Sequence, residues 1–215
     1  MSKQKHQTTL TWPVLKVGDG RGFIVEHQNF LGHPERIVIT AAHCLPHLPP
    51  PHPASYLMER TYGALLGPLR GKQTVSAECL FVDPISDIAV LGSPDNQELH
   101  EEAAAYEKLT DVTPLPVADA PKQGTRNKPL FGGGIIETPT PGKDSALVLS
   151  LANAWLECSV TRRGEALSVD QRKLIMSGMS GSPILSRTGH AIGVVSTNDF
   201  CPVILACLPA RLKIR

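Results

Sequence analysis

Short Val-, Ile- and Leu-rich runs, each closed by turn-forming residues, constrain this chain more than any other feature. GRGFIVE (20–26), RIVITAA (36–42), SYLMERTYGALLG (55–67), TVSAECLFVD (74–83) and DIAVLGS (87–93) follow one another in the first half. PLFGGGIIET (129–138), SALVLSLAN (145–153), WLECSVTRR (155–163), SPILSRTGHAIGVVST (182–197) and PVILACLPA (202–210) do the same in the second. β-Rich runs of this length between Gly, Pro and Asp predict strands, and the SRTG step predicts a hairpin turn. Glycine (18) and proline (19) are scattered through the 215 residues rather than gathered in one tract, as in an all-β chain with many turns. LPHLPPPHP (45–53) is a proline-rich surface loop that cannot join a sheet.

DNQELHEEAAAYEKL (95–109) interrupts this pattern. Its Glu and Ala favour helix, and Asp95 or Asn96 can cap the start. TDVTPLPVADAP follows, extended and punctuated by proline. Residues 95–121 therefore read as a connection between a first β-barrel over 8–94 and a second over 122–215.

The balance of 21 basic against 20 acidic residues, net +1, supplies no field that would draw nucleic acid. No apolar run approaches ~18 residues, so no membrane-spanning helix is expected. MSKQKHQTTLTW has two lysines but not the apolar stretch of a secretory signal. The cysteines, Cys44, Cys79, Cys158, Cys201 and Cys207, are odd in number, irregularly spaced and free of any C-x-x-C pair. Cys201 and Cys207 fall six apart in one expected strand, where side chains share a face and seldom bridge. Free buried or half-buried thiols in a reducing, cytoplasmic compartment are expected.

Three segments carry chemistry. Ile37-Val38-Ile39-Thr40-Ala41-Ala42-His43-Cys44 is an apolar strand ending in small residues and a histidine. Asp83-Pro84-Ile85-Ser86-Asp87-Ile88-Ala89-Val90-Leu91 places an aspartate at the mouth of a buried strand. Ser177-Gly178-Met179-Ser180-Gly181-Ser182-Pro183-Ile184 sets a serine between glycines before another. Each alone is commonplace. A serine hydroxyl needs a base within hydrogen-bond reach to attack a carbonyl, histidine suits that task, and a carboxylate fixes the imidazole tautomer. Glycines beside the serine allow a tight turn whose N–H groups face a developing oxyanion. The order His, Asp, Ser is that of chymotrypsin and differs from those of subtilisin and the α/β-hydrolases.

T-A-A-H-C, D-I-A-V-L and G-M-S-G-S-P resemble the chymotrypsin/trypsin-like serine peptidases, especially the bacterial, disulfide-free branch with HtrA/Deg-type protease domains. The resemblance spans about 12 to 210. It implies an all-β fold of two orthogonal six-stranded Greek-key barrels with the active site in the cleft between them. It implies His43 as general base, Asp87 as its orienting partner and Ser180 as nucleophile, with the N–H groups of Gly178 and Ser180 as oxyanion hole. The chain departs from the pattern in four ways. Secreted trypsins pair the cysteine after the histidine with one about 16 residues earlier, yet His27-Gln28-Asn29 offers Cys44 no partner. Met179 stands where an aspartate binds a freed N-terminus, and Ser182 where a second glycine is usual. No PDZ-like stretch is expected to follow.

Asp83 is the rival to Asp87, but it precedes Pro84, where an Asp starts a turn, whereas Asp87 directly precedes the buried strand. A metal site is the rival for the first motif, since His43, Cys44, His47 and His52 lie together with His33 upstream. Zinc wants paired spacing on rigid elements, and Pro46, Pro49, Pro50, Pro51 and Pro53 hold this loop extended, so neither metal nor cofactor is expected. The same three motifs also suit a catalytically silent relative that binds peptides, or a hydrolase of non-peptide esters. By the resemblance, the residue six before the nucleophile floors the specificity pocket, which gives Leu174 with Ile175 beside it. The resemblance likewise makes Ser196-Thr197-Asn198 its wall. Burying a Lys or Arg charge on Leu174 costs more than the ~1–3 kcal/mol at stake in fitting an aliphatic group. Cleavage of protein or peptide substrates after small or medium aliphatic residues is expected, unless Asp170 or Asp199 reaches the pocket. The chain is expected to be active as it stands, or switched by a regulatory partner protein.

Overall fold

The computed structural model describes residues 13–29, 31–50, 57–95, 97–118, 143–197, 200–209 and 211–214. The expected strand at 129–138 lies outside these residues, as do His52, Asn198 and Asp199. The first half holds β1 (Val14–Val17), β2 (Gly20–Gln28), β3 (Pro34–Thr40), a helical turn α1 (Leu57–Arg60), β4 (Thr61–Pro68), β5 (Val75–Asp83) and β6 (Ile88–Gly92). After the helix α2 (His100–Thr110) come β7 (Lys143–Leu149), β8 (Trp155–Arg163), β9 (Ala166–Val169), β10 (Pro183–Ser186) and β11 (Ala191–Val194). The chain ends with β12 (Cys201–Pro202), a helical turn α3 (Ile204–Cys207) and β13 (Lys213–Ile214).

Antiparallel ladders join β1–β2, β2–β3, β3–β6, β6–β5, β5–β4 and β4–β1, closing a six-stranded barrel. The second half repeats the same order: β7–β8, β8–β9, β9–β12, β11–β10 and β10–β7. Here the remaining step between β11 and β12 is reduced to a bridge between Gly193 and Val203, so this barrel is nearly closed. The crossings β3–β6 and β9–β12 are Greek-key connections. One wiring diagram is thus used twice, although no fixed-period repeat is visible in the sequence. β13 returns from the second half to the edge of β2, pairing Ile214 with His27.

The first barrel fills with Phe23, Ile24, Ile37, Ile39, Ile88 and Leu91, all essentially inaccessible to solvent. Truncating one of the large aliphatics to alanine costs about 2–5 kcal/mol. The second barrel has two apolar faces. Ala146, Val148, Val160 and Ile184 fill its interior, whereas Leu147, Leu149, Trp155 and Leu185 join the core of the first barrel. This explains why SALVLSL reads as a continuous apolar run and not as an alternation. The shared face fixes one barrel against the other.

The Glu/Ala-rich segment forms α2, which starts five residues later than Asp95. The Asp95 carboxylate accepts the Gln97 N–H at 2.8 Å in a turn ahead of the helix, and Leu99 stands at the cap. Ala103, Tyr106 and Thr110 are the buried side of the helix, and the Tyr106 hydroxyl lies 3.1 Å from the carbonyls of both Arg36 and Leu91. Beyond it, the Leu115 N–H donates to the Ile24 carbonyl (2.8 Å) and the Ala118 N–H to that of Ala191 (3.0 Å), carrying the chain from one barrel to the other.

Parts of two runs read as strand are helical turns. SYLM belongs partly to α1, and strand geometry starts only at Thr61. PVILACLPA leaves the sheet after Pro202, with the N–H groups of Cys207 and Leu208 turning back to the carbonyls of Val203 and Ile204 at 3.1 Å. Cys201 and Cys207 therefore do not share a strand. All five cysteines are free thiols.

Candidate active site

β3 delivers buried Thr40, Ala41 and Ala42 into a single helical turn over Ala42–Cys44. Ala42 and Cys44 face inward, and His43 projects between them with its side chain 50% exposed. Small residues beneath the histidine let this turn press against the barrel.

The loop from β5 to β6 presents Asp87. Asp83 shapes it by accepting the N–H groups of Ile85 (2.9 Å) and Ser86 (3.2 Å). Slight burial alone would raise the pKa of Asp83, but hydrogen bonds from Ser86 and Ile85 outweigh it and hold the group below its ordinary value. The loop ends with Asp87 at φ 52°, a left-handed conformation that Asp tolerates better than most residues. Both of its carboxylate oxygens are engaged. Oδ1 accepts the His43 backbone N–H at 2.9 Å, and Oδ2 lies 2.7 Å from His43 Nδ1. Oδ2 also accepts the hydroxyl of Ser196, which comes from the other barrel. With a carboxylate as acceptor, Nδ1 carries the proton and Nε2 keeps its lone pair.

Ser180 sits in a turn anchored on every side. Met179, fully buried, roots it in the core of the second barrel. The N–H of Met179 donates to the Met176 carbonyl (3.1 Å) and that of Ser182 to the Met179 carbonyl (3.0 Å). The Gly181 N–H donates to Val195, the residue before Ser196, at 2.7 Å. The Ser180 carbonyl accepts the Arg21 N–H from the first barrel, also at 2.7 Å. Gly181 is at φ +80°, and a Cβ there would lie 1.7 Å from the Arg21 carbonyl, so no other residue fits without moving the turn. The N–H groups of Gly178 and Ser180 have no acceptor among the described residues.

Gly20 joins the two halves of this arrangement. A Cβ on it would lie 2.5 Å from Cys44 Sγ and 2.6 Å from the Ser180 carbonyl oxygen. The neighbour of His43 and the residue Ser180 thus both pack into the space that a side chain at position 20 would fill. Position 20, rather than 27–29, faces Cys44, and it supplies no sulfur. Burial pushes the Cys44 thiol up to about 11. Ser180 and the turn carrying His43 are brought to the same side of Gly20 without closing on each other: no hydrogen bond joins Ser180 Oγ to His43 among the described residues.

Leu174 and Ile175 are half-buried and pack against the core of the second barrel. Ser196 is nearly buried, with its hydroxyl committed to Asp87. Thr197 is exposed, and its hydroxyl bonds within its own turn to the Phe200 N–H (3.1 Å) and carbonyl (3.3 Å). Asp170 is exposed and accepts the Thr161 hydroxyl at 3.1 Å. Among the described residues, no three His, Cys, Asp or Glu side chains stand close enough to share a metal ion. None of the described helices is long and apolar enough to cross a membrane. Two residues carry roles that the sequence does not announce, Ser196 as a partner of Asp87 and Arg21 as a brace of the Ser180 turn. Neither a lone serine after a strand nor an arginine within one carries a local signal.

Two small-barrel halves, a histidine–aspartate pair on one and a glycine-flanked serine on the other define a chymotrypsin-like architecture. Residues 20–194 match the trypsin-like peptidase domain, and the chain belongs to that family. No curated protein matches its sequence. Among solved structures it is similar to the Rv3671c protease of M. tuberculosis in an inactive form, at 16% identity and TM-score 0.47, covering 92% of this chain and 86% of that one. It is also similar to a serine protease of a human pathogenic astrovirus, at 16% identity and TM-score 0.47, covering 96% and 100%.

Proposed function

We propose that the protein is a serine endopeptidase acting through an acyl-enzyme, with His43 as general base, Asp87 as its orienting partner and Ser180 as nucleophile. The observation that carries this reading is the two-point grip of Asp87 on His43, 2.9 Å to the backbone N–H and 2.7 Å to Nδ1. That grip leaves Nε2 as the proton acceptor. The hydroxyl of Ser180 gives its proton to Nε2 as its oxygen attacks the carbonyl, and the imidazolium returns that proton to the departing amine. Water then repeats the sequence on the ester. The unoccupied N–H donors of Gly178 and Ser180 suit the oxyanion, where one such donor contributes ~10²–10³ in rate.

Leu174 and Ile175, half-buried and uncharged, support cleavage after Val, Ala or Leu. Asp170, exposed and bonded to Thr161, is not drawn into that reading. Free thiols throughout suit a reducing compartment such as the cytoplasm, and buried Met179 offers no carboxylate to a freed N-terminus. Switching by a regulatory partner protein remains part of the proposal. A peptide library digested with the pure protein tests the specificity: aliphatic residues should dominate the position before the cut, and a profile of Arg or Lys contradicts it.

The absence of a Ser180–His43 hydrogen bond favours one second reading, a silent peptidase fold that binds peptides. Loose contacts of this kind are common in substrate-free hydrolases and tighten on binding. Specific peptide binding with no cleavage would select the second reading.

A further inference from the structure

The Arg21 side chain is 5% exposed, yet it meets no carboxylate among the described residues. Burial lowers its pKa, and an unpaired cation in such a place is costly, so its presence calls for a local reason. Its neighbours supply one. From β2 of the first barrel the guanidinium crosses to the second and donates to the carbonyls of Leu149 and Ser150, both at 3.0 Å, and to Asn153 Oδ1 at 3.4 Å. These acceptors form the tight turn between β7 and β8, closed by the Asn153 N–H donating to Ser150 at 2.9 Å. At the tip of that turn, a Leu151 methyl lies 3.5 Å from where Gly178 would carry a Cβ. The main chain of the same arginine donates to Ser180 (2.7 Å) and accepts the Thr40 hydroxyl (2.6 Å). One residue of the first barrel therefore holds Ser180 through its main chain and, through its side chain, the 149–153 turn whose Leu151 lies beside Gly178.

We infer that Arg21 is a positioning residue: by clamping the 149–153 turn beneath Leu151, its guanidinium sets where the Gly178 N–H stands relative to that of Ser180. The inference rests on the hydrolase reading above. Hydrogen bonds to an oxyanion weaken steeply with distance and angle, so a shift of about 1 Å at Gly178 removes most of its contribution. Arginine suits the task because several carbonyl-type acceptors around one point need several donors in a rigid fork. An apolar side chain would withdraw the donors that tie the Leu149 and Ser150 carbonyls and Asn153 Oδ1 to the first barrel, and a carboxylate would repel them.

The test compares wild type, Arg21→Met, Arg21→Lys and Leu151→Ala, each checked for folding by near-UV circular dichroism. The readouts are the second-order rate of acylation by a fluorophosphonate and kcat and KM on one peptide substrate. Arg21→Met should lower the acylation rate and kcat by ~10²-fold while KM stays within about twofold. Arg21→Lys, which keeps a charge and donors without the fork, should recover about tenfold of that loss. Leu151→Ala should lose about tenfold through Gly178 alone. A purely structural clamp would lower the melting temperature and leave kcat of the folded protein intact, so folded Arg21→Met at the wild-type rate overturns the inference. If Arg21→Met does not fold, wild-type rates in both Arg21→Lys and Leu151→Ala overturn it. A wild type that takes no label overturns the hydrolase reading and this inference with it, whereas unaffected variants of a labelled wild type overturn the inference alone.

Discussion

Replacing Asp87 by asparagine isolates the electrostatic role of this residue, because the backbone should not object. Asp87 lies at φ 52°, a region that Asn tolerates at least as well as Asp. The carboxylate accepts three donors: the His43 N–H at Oδ1, and Nδ1–H and the Ser196 hydroxyl at Oδ2. An amide has only one accepting oxygen. If that oxygen stays with the His43 N–H, the NH₂ faces Nδ1, which must then accept; the proton moves to Nε2 and the base is lost. If the amide flips, its NH₂ opposes the His43 N–H. Either way the base is presented in the wrong tautomer or the wrong place. The triad template puts that loss at ~10⁴ in rate, or about 5 kcal/mol of transition-state stabilisation. Steady-state kinetics on the best library peptide, alongside thermal melts, reads it out. The reasoning predicts a fall of this order in kcat with a melting point close to that of wild type. Asp83→Asn should lose far less, since Asp83 only braces the loop through Ile85 and Ser86. Asp87→Asn within tenfold of wild type, or Asp83→Asn the more damaged, would refute the argument.

Ser182 is fully buried, and its hydroxyl has no partner among the described residues, so Ser182→Ala should stabilise the fold by about 1 kcal/mol in chemical denaturation; a loss of that size would show that the hydroxyl is satisfied. Burial raises the thiols of Cys44, Cys79, Cys158 and Cys201 to about 11 each. Unfolded thiols ionise near ~8.5, so these groups favour the folded state fully below that pH and cease to as the pH climbs to 11. Melting temperature should accordingly fall across this alkaline window, less steeply in Cys79→Ala, and a flat profile would contradict the shifts. Because all five cysteines are free, dithiothreitol should leave the melting temperature unchanged to within about 1 °C, whereas a drop would reveal a bridge.

The sequence made much of this readable because several elements are locally determined. β3 is β-branched over four of its seven residues, and the runs behind β2, β5, β6 and β8 carry apolar residues between turn formers; A-A-H-C and G-M-S-G-S encode turns whose shape depends on small residues, and D-I-A-V-L a buried strand entered from a turn. The elements that escaped depend on distant partners. β1 and β9, four residues each and interrupted by Lys16 and Ser168, pair with neighbouring strands that offer them ladders. LMER and ILAC are apolar enough for strand, but they curl where no strand edge receives them. The partner of Cys44 in packing is Gly20, because the strand reversal between β2 and β3 brings position 20, and not position 28, beside the histidine turn. The bonds from Ser196 to Asp87 and from Arg21 to Leu149 span 109 and 128 residues, and no local pattern announces contacts between the barrels.

Activation of Ser180 by His43 can be tested without knowledge of any substrate. The pure wild-type protein is incubated with a fluorophosphonate, digested, and mapped by mass spectrometry, with Ser180→Ala and His43→Ala treated in parallel. Members of a triad act as a unit, so either variant should lose labelling almost completely, and the double variant should be little worse than either. A single adduct on Ser180 is expected in the wild type and none in the folded variants. An adduct on another serine, undiminished labelling of His43→Ala, or a wild type that stays unmodified would contradict it.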